Sequence, residues 1–486
     1  MNDLSTMTLA GVTRGGDRSG VRALAAMLTG AFLAIMDVMI VNVGLPSIRA
    51  GLHASFAEAQ LVVAGYGLSY ALLLITGGRL GDLHGRRRMF LAGLAGFTLT
   101  STLCGLAPTA PALVAARVLQ GAAAALMFPQ VLSLIRVTFT DEASRARAFA
   151  ALGVAAGLAG VTGQVLGGFI VEANLFGLGW RPLFLINLPV GLGALVAARR
   201  FIAESRAPQA ARLDLAGVLL GAVAFGCLLI PLIEGREAGW PAWSLAMLAA
   251  AVPLLALFAR QQHGRTRRRA SPLVDTGLFR DRAFTVGLLT VLAFYSTLNA
   301  GFLALAFFIQ AGLKRSPFEA GLLFAVLAVV YVGASVLAGR LPVERRRALL
   351  ATGAAVTLVG FALAAAAPVL SPAAPVVLLV PALATLGLGQ GLFMTPLINT
   401  VISAIRDEQA GSAAGVLSTM QQVGGAIGVA VVGILFFGSL AEAQTLGLAD
   451  NAAYGRALTA GLGYCVGALG VTLVLLAALP RAGSAR

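Results

Sequence analysis

Two charged side chains sit where the rest of the chain is hydrocarbon. Asp37 stands in IMDVMIVNVGLP (Ile35–Pro46), which closes an apolar run beginning near Arg22. Arg117 stands in ARVLQG (Ala116–Gly121), within a second apolar run that opens at Pro111. As helices, these runs place Asp37 roughly 22 Å from Arg22 and Arg117 about six residues in from the opposite end. Their depths agree within roughly one helical turn. A lone carboxylate at such depth costs roughly 2.5–3.5 kcal/mol on insertion scales, and burial favours its proton-bound form. Two roles fit the pair. It is a static tie between two helices, or a site where a proton comes and goes. A static buried pair adds little net stability, because desolvation offsets the Coulomb gain. We therefore expect Asp37 and Arg117 to couple a proton to a second ligand: a carboxylate at a cavity wall holds a proton or attracts a cation, not both.

Uncharged polar and aromatic groups in the same runs are candidates for a substrate cavity: Asn42, Tyr66, Tyr70, Gln120, Asn299, Gln390, Ser418, Gln421 and Gln422. Adjacent glutamines in lipid are costly unless they face protein or water, and the tyrosine rings suit stacking on a cation. A third group lies at the ends of runs. In GGRLGDLHGRRRMFL (Gly77–Leu91), Gly78, Asp82, Gly85 and Arg86 are spaced to form a gate at the membrane rim, with Arg340 as a weaker counterpart. In the fifth run, Gly157, Gly163 and Gly167 recur at helical spacing. They allow close approach of another helix, and Gln164 is placed to hydrogen-bond across that contact.

These groups need elements long enough to carry them across a membrane. The chain has 486 residues, 58% hydrophobic and only 11% charged, against roughly 25% charged in soluble domains. Apolar runs of about 20 residues, each enough for one crossing, recur along the whole length. We read fourteen spans, near 22–46, 57–80, 88–107, 111–136, 147–171, 182–201, 213–234, 241–260, 283–311, 316–339, 347–368, 374–402, 409–438 and 457–480. Alternate loops hold most of the arginine. The others carry only Arg49, Arg181, Arg236, Lys314, Arg315 and Arg456. Positive loops face the cytoplasm, so both termini are expected there, with the protein multi-pass in the cell (inner) membrane. The net charge of +15 is thus a topology signal, and no nucleic-acid partner is expected. Cys104, Cys227 and Cys465 are scattered in apolar runs and suggest neither disulfide nor metal.

The halves echo each other. AGRLPVERRRALL (Ala338–Leu350) repeats the Gly-Arg-Leu and arginine cluster of Gly77–Leu91, and LGQGLFMTP (Leu388–Pro396) repeats LQGAAAALMFP (Leu119–Pro129). Both matches map span n onto span n+8. The expected fold is an all-α polytopic membrane protein, two parallel-repeat six-helix bundles plus an inserted helix pair, with its site near mid-membrane. The expected organisation is a cytoplasmic tail (1–21), a first bundle (22–201), the inserted pair (202–260), a basic linker suited to anionic lipid (261–282), a second bundle (283–480) and a short tail (481–486). At the depths of Asp37 and Arg117 the second bundle offers only Asn299 and Gly387.

Here the residues carry a resemblance. Gly77–Leu91 resembles the loop signature of the major facilitator superfamily, and ARVLQG its fourth-helix motif. MDVMIVNVGLP (Met36–Pro46) and WRPLFLINLPVG (Trp180–Gly191) are similar to motifs of its fourteen-helix drug:proton antiporters. Gly163-Gln164 stands where those antiporters usually have Gly-Pro. The resemblance implies a proton-coupled exporter of amphipathic, cationic drugs or toxic metabolites, monomeric, without cofactor, whose partners are the small-molecule substrate, protons and membrane lipid. A proton-coupled uptake symporter of the same fold and a non-transporting sensor or scaffold remain open. An enzyme is not expected, since the spans hold no metal-ligand cluster, no paired acids and no nucleotide loop.

Overall fold

The computed structural model describes residues 18–206, 213–235, 238–268, 270, 272–340, 345–371, 375–403 and 410–478. Fourteen helices are long and apolar enough to cross a membrane, and no strand occurs among the described residues. The first six are α1 (Arg18–Leu52), α2 (Phe56–His84), α3 (Arg86–Leu106), α4 (Ala110–Thr138), α5 (Glu142–Ala173) and α6 (Pro182–Phe201). Next come α7 (Leu215–Glu234) and α8 (Ala242–Arg267). The last six are α9 (Arg282–Phe307, extended by a π turn to Gly312), α10 (Pro317–Arg340), α11 (Arg346–Leu370), α12 (Val376–Ser403), α13 (Ala410–Thr445) and α14 (Asp450–Ala478).

Local chemistry sets the boundaries. Ser55 and Glu58 form a reciprocal capping box at the start of α2. Thr109, Asp141, Asp214 and Asp281 each accept backbone N–H bonds at the starts of α4, α5, α7 and α9, satisfying donors that lipid would not. Gly85 turns between α2 and α3 at φ 108, a conformation open to glycine. Pro189 cannot donate to the carbonyl one turn back, and α6 is accordingly two segments, Pro182–Leu185 and Asn187–Phe201, joined at Ile186.

The repeat is visible in packing. In the first half α2 and α3 pack on α4, α1 on α5, and both α1 and α3 on α6. In the second half α10 and α11 pack on α12, α9 on α13, and both α9 and α11 on α14. Each of these contacts maps onto its partner eight helices later. The halves meet where α2 packs on α13 and α5 on α10, and α7 leans on that seam through α2 and α13. Large apolar side chains cover the outside, among them Val196, Leu219, Val252 and Val474, each at least two-thirds exposed. Such a surface suits lipid rather than water.

The two halves are tied at the arginine-poor ends of their helices. Gln310 Nε2 donates to Val43 O at 2.8 Å, Phe318 N donates to Glu172 Oε2 at 3.2 Å, and the Phe56 and Phe437 rings stack at 3.7 Å.

Candidate functional site

Asp37 is fully buried where α1 faces α4 and α6. Its Oδ2 accepts from Arg117 Nη1. Its Oδ1 accepts from Gln120 Nε2 at 2.9 Å and from Asn187 Nδ2 at 3.3 Å. Arg117 and Gln120, three residues apart on α4, turn to the same side. Nη1 of Arg117 also donates to Gln120 Oε1 at 2.8 Å, and its Nε donates to Val62 O of α2 at 3.1 Å. The guanidinium lies 4.2 Å from the Tyr66 ring centroid, a cation–π contact strengthened by desolvation. Cys104 Sγ donates to Gln120 Oε1 at 3.4 Å. The carboxylate thus has three polar contacts, one from the guanidinium and two from side-chain amides, and no exposed surface. This is a cage that can hold a charge.

Beside the cage is a central void of about 40 Å³, lined by Val38, Val41, Val63, Tyr66, Gly67, Arg117, Asn299 and Gln422. It has room for a water but not a drug, since ligand pockets run to several hundred Å³. Arg117 lines it and Asp37 does not. The guanidinium therefore stands between the carboxylate and the space where the two halves meet.

The structure brings Tyr66, Asn299 and Gln422 of the expected cavity set together at this void. Gln120 belongs to the Asp37 cage instead. Tyr70 lies one turn from Tyr66 with its ring parallel at 6.2 Å, and touches Phe128. Asn42 and Gln390 are buried elsewhere on α1 and α12, and Gln421 is half-buried on α13. The side chain of Ser418 lies outside the described residues, as does that of Arg340 at the end of α10. At the rim, Asp82 Oδ1 accepts from Arg86 Nη2 at 2.8 Å across the Gly85 turn. Gly78 is half-buried on α2, facing Pro129 of α4. The backbone N–H groups of Arg87 and Arg88 donate to the Glu204 carboxylate at 3.1 and 3.2 Å, which caps the start of α3. On α5, Gly163 and Gly167 let Met39 and Ile40 of α1 approach, while Gly157 faces Val332 of α10. Gln164 Nε2 contacts Met39 Sδ at 3.7 Å.

Sequence reasoning missed Asn187, Ser101 and Cys104. The one available signal was Asn187 in INLP, an amide inside an apolar span that must find partners.

A buried charged pair inside the first of two repeat-related bundles, with its guanidinium at the seam between them, defines the class: a secondary transporter built from parallel repeats. The sequence profile of the Major Facilitator Superfamily matches residues 27–429, and the chain belongs to that superfamily. It is 37% identical to a protein named as the probable actinorhodin transporter of Streptomyces coelicolor over 449 residues, 91% of this chain and 76% of that protein. It is 34% identical to the puromycin resistance protein of Streptomyces alboniger, covering 93% of this chain and 90% of that one. The crystal structure of a bacterial homologue of the human lysosomal transporter Spinster, inward-facing and unoccupied, superimposes with a TM-score of 0.66 at 17% identity, covering 96% of this chain and 97% of that one.

Proposed function

We propose that the protein is a proton-driven exporter of amphipathic cationic compounds, working as a monomer in the cell membrane with both termini in the cytoplasm. The relatives named for transport or resistance support export. The observation that carries proton coupling is the order of charges: Arg117 lines the void, and Asp37, buried behind it, is the anion that neutralises it. With Asp37 charged the pair is neutral, and the void, once widened as the halves part, admits a cation. A proton on Asp37 leaves the guanidinium unbalanced. Two like charges at 4 Å repel by about 4 kcal/mol at an effective dielectric of 20, so the proton expels a cationic substrate without touching it. That exclusion is antiport, and the membrane potential adds about 2.3 kcal/mol per charge per 100 mV.

On this reading the ties at the arginine-poor ends belong to the state that faces the cytoplasm. Gly78, Asp82, Gly85, Arg86 and Arg340 would gate the cytoplasmic rim in the other state, while Gly157, Gly163, Gln164 and Gly167 keep α5 close to its neighbours as the halves rock. The test is proteoliposomes carrying an internal pH dye. Ethidium added to the wild type moves protons in the opposite direction, and Asp37→Asn abolishes this at unchanged protein level. Coupled ethidium and proton movement in Asp37→Asn would overturn the reading.

A further inference from the structure

Every donor in the Asp37 cage suits the charged carboxylate, and only one group is built to suit the protonated one. Asn187 is fully buried. Its Nδ2 donates to Asp37 Oδ1 at 3.3 Å and to Ser101 Oγ at 2.9 Å, and Ser101 Oγ donates in turn to Phe184 O at 2.9 Å. Its Oδ1 is buried with no hydrogen-bond partner, an arrangement that costs free energy unless some other state uses it.

A charged carboxylate only accepts, whereas a protonated one must donate its O–H. Gln120 Oε1 is already engaged by Arg117 Nη1 and Cys104 Sγ. Asn187 Oδ1 is the unengaged acceptor of the cage. A half-turn of the side-chain amide places it on the new Asp37 hydroxyl. Ser101, which had received an N–H, must then turn its own proton away from Phe184 O. That carbonyl also receives the backbone N–H of Ile186, at the joint between the two segments of α6. We propose that Asn187 is a positioning residue that reads the protonation of Asp37 by turning its amide and relays it through Ser101 to the joint in α6. The proton enters from water onto Asp37 Oδ1 and leaves by the same bond. Asn187 exchanges hydrogen bonds and no covalent ones.

The ionisable groups facing Asp37 are Arg117 from α4, Tyr66 from α2 and Cys104 from α3. α6 meets it with uncharged groups, Asn187 among them. The inference rests on the proposal that Asp37 is the proton site, and the test separates the two. Purified protein in liposomes is titrated while infrared difference spectra follow the protonated-carboxyl band, assigned to Asp37 by its loss in Asp37→Asn. In Asn187→Leu the midpoint of that band moves up by about half a pH unit, because the charge-assisted bond lost from the charged form outweighs the neutral bond lost from the protonated one. The pH midpoint of ethidium transport moves with it. Ser101→Ala, which keeps the Asn187–Asp37 contact but frees the amide, moves both upward by less than half as much, and it decides the matter should Asn187→Leu not fold. Midpoints equal to wild type in the variant that folds overturn the role of Asn187 while leaving the proton site standing. A band that survives Asp37→Asn overturns both.

Discussion

The two halves use one backbone position in opposite ways. In the first, a Cβ at Gly121 of α4 would strike Tyr66 O of α2, and four residues earlier on both helices Arg117 Nε is bonded to Val62 O. In the second, Gly391 of α12 faces Tyr331 O of α10, and four residues earlier Gly387 lies directly against Leu327 O. Where the first half holds a guanidinium, the second has no room for a methyl group. On α9, Ser296 and Thr297 turn back onto their own helix, their hydroxyls donating to Ala293 O and Phe294 O at 2.8 and 2.7 Å, and only the uncharged Asn299 lines the void. One copy of the repeat carries charge and must adjust when it changes. The other is closed by helix contact and gives the first something fixed to move against.

The largest effect expected from this contrast comes from Arg117→Leu. It leaves Asp37 buried with amides but no counter-charge, and breaking a buried pair costs about 3–5 kcal/mol. The melting temperature in detergent should fall sharply. The double variant Asp37→Leu/Arg117→Leu should recover much of that loss while remaining inactive in transport. A double variant no more stable than Arg117→Leu would mean that the pair is not what the first half is built around. Gly387→Ala comes next. Overpacking against Leu327 O costs about 1–3 kcal/mol, read as a lower melting temperature with the pH midpoint of transport unmoved. An unchanged melting temperature would break the comparison, because the second half would then have room to spare.

Most of the fold was legible because the bilayer enforces it: span length, arginine placement and the n to n+8 repeat each leave a mark that needs no tertiary knowledge. The Asp37–Arg117 pair was legible from depth alone. The cavity lining was harder, because depth does not fix which side of a helix faces inward. Asn42 is five residues from Asp37, roughly 140° round the helix, and points away from the cage that its depth suggested. Gln120 was placed at the right depth but serves the carboxylate rather than the void. Asn187 left almost no trace, since its partners come from α1 and α3 and no spacing rule links them to INLP.

A second buried carboxylate sharpens the contrast from outside both bundles. Asp214 caps α7, with its side chain fully buried. It accepts from Gly217 N at 2.9 Å, Gln261 Nε2 at 3.1 Å and Gln262 Nε2 at 2.7 Å, with Arg265 Nε at 3.3 Å. Burial alone would push this carboxyl up. The hydrogen bonds from Gln262 and Gly217 outweigh it, with help from Arg265, and hold it below the usual carboxylate range. A group whose folded value is depressed contributes stability above its unfolded value, near pH 4, and loses it only as the pH falls through the folded value. Asp214 therefore stays charged across the physiological range, where Asp37 is proposed to cycle. Asp214→Asn should cost about 1 kcal/mol at neutral pH, since the cap to Gly217 survives and the half-exposed Arg265 contributes little. The loss should be constant between pH 5 and 8 and shrink only in acid, and ethidium transport should keep its pH midpoint. A midpoint that moves would make the inserted pair part of the proton machinery, and the division between a charge-cycling first half and a static remainder would have to be redrawn.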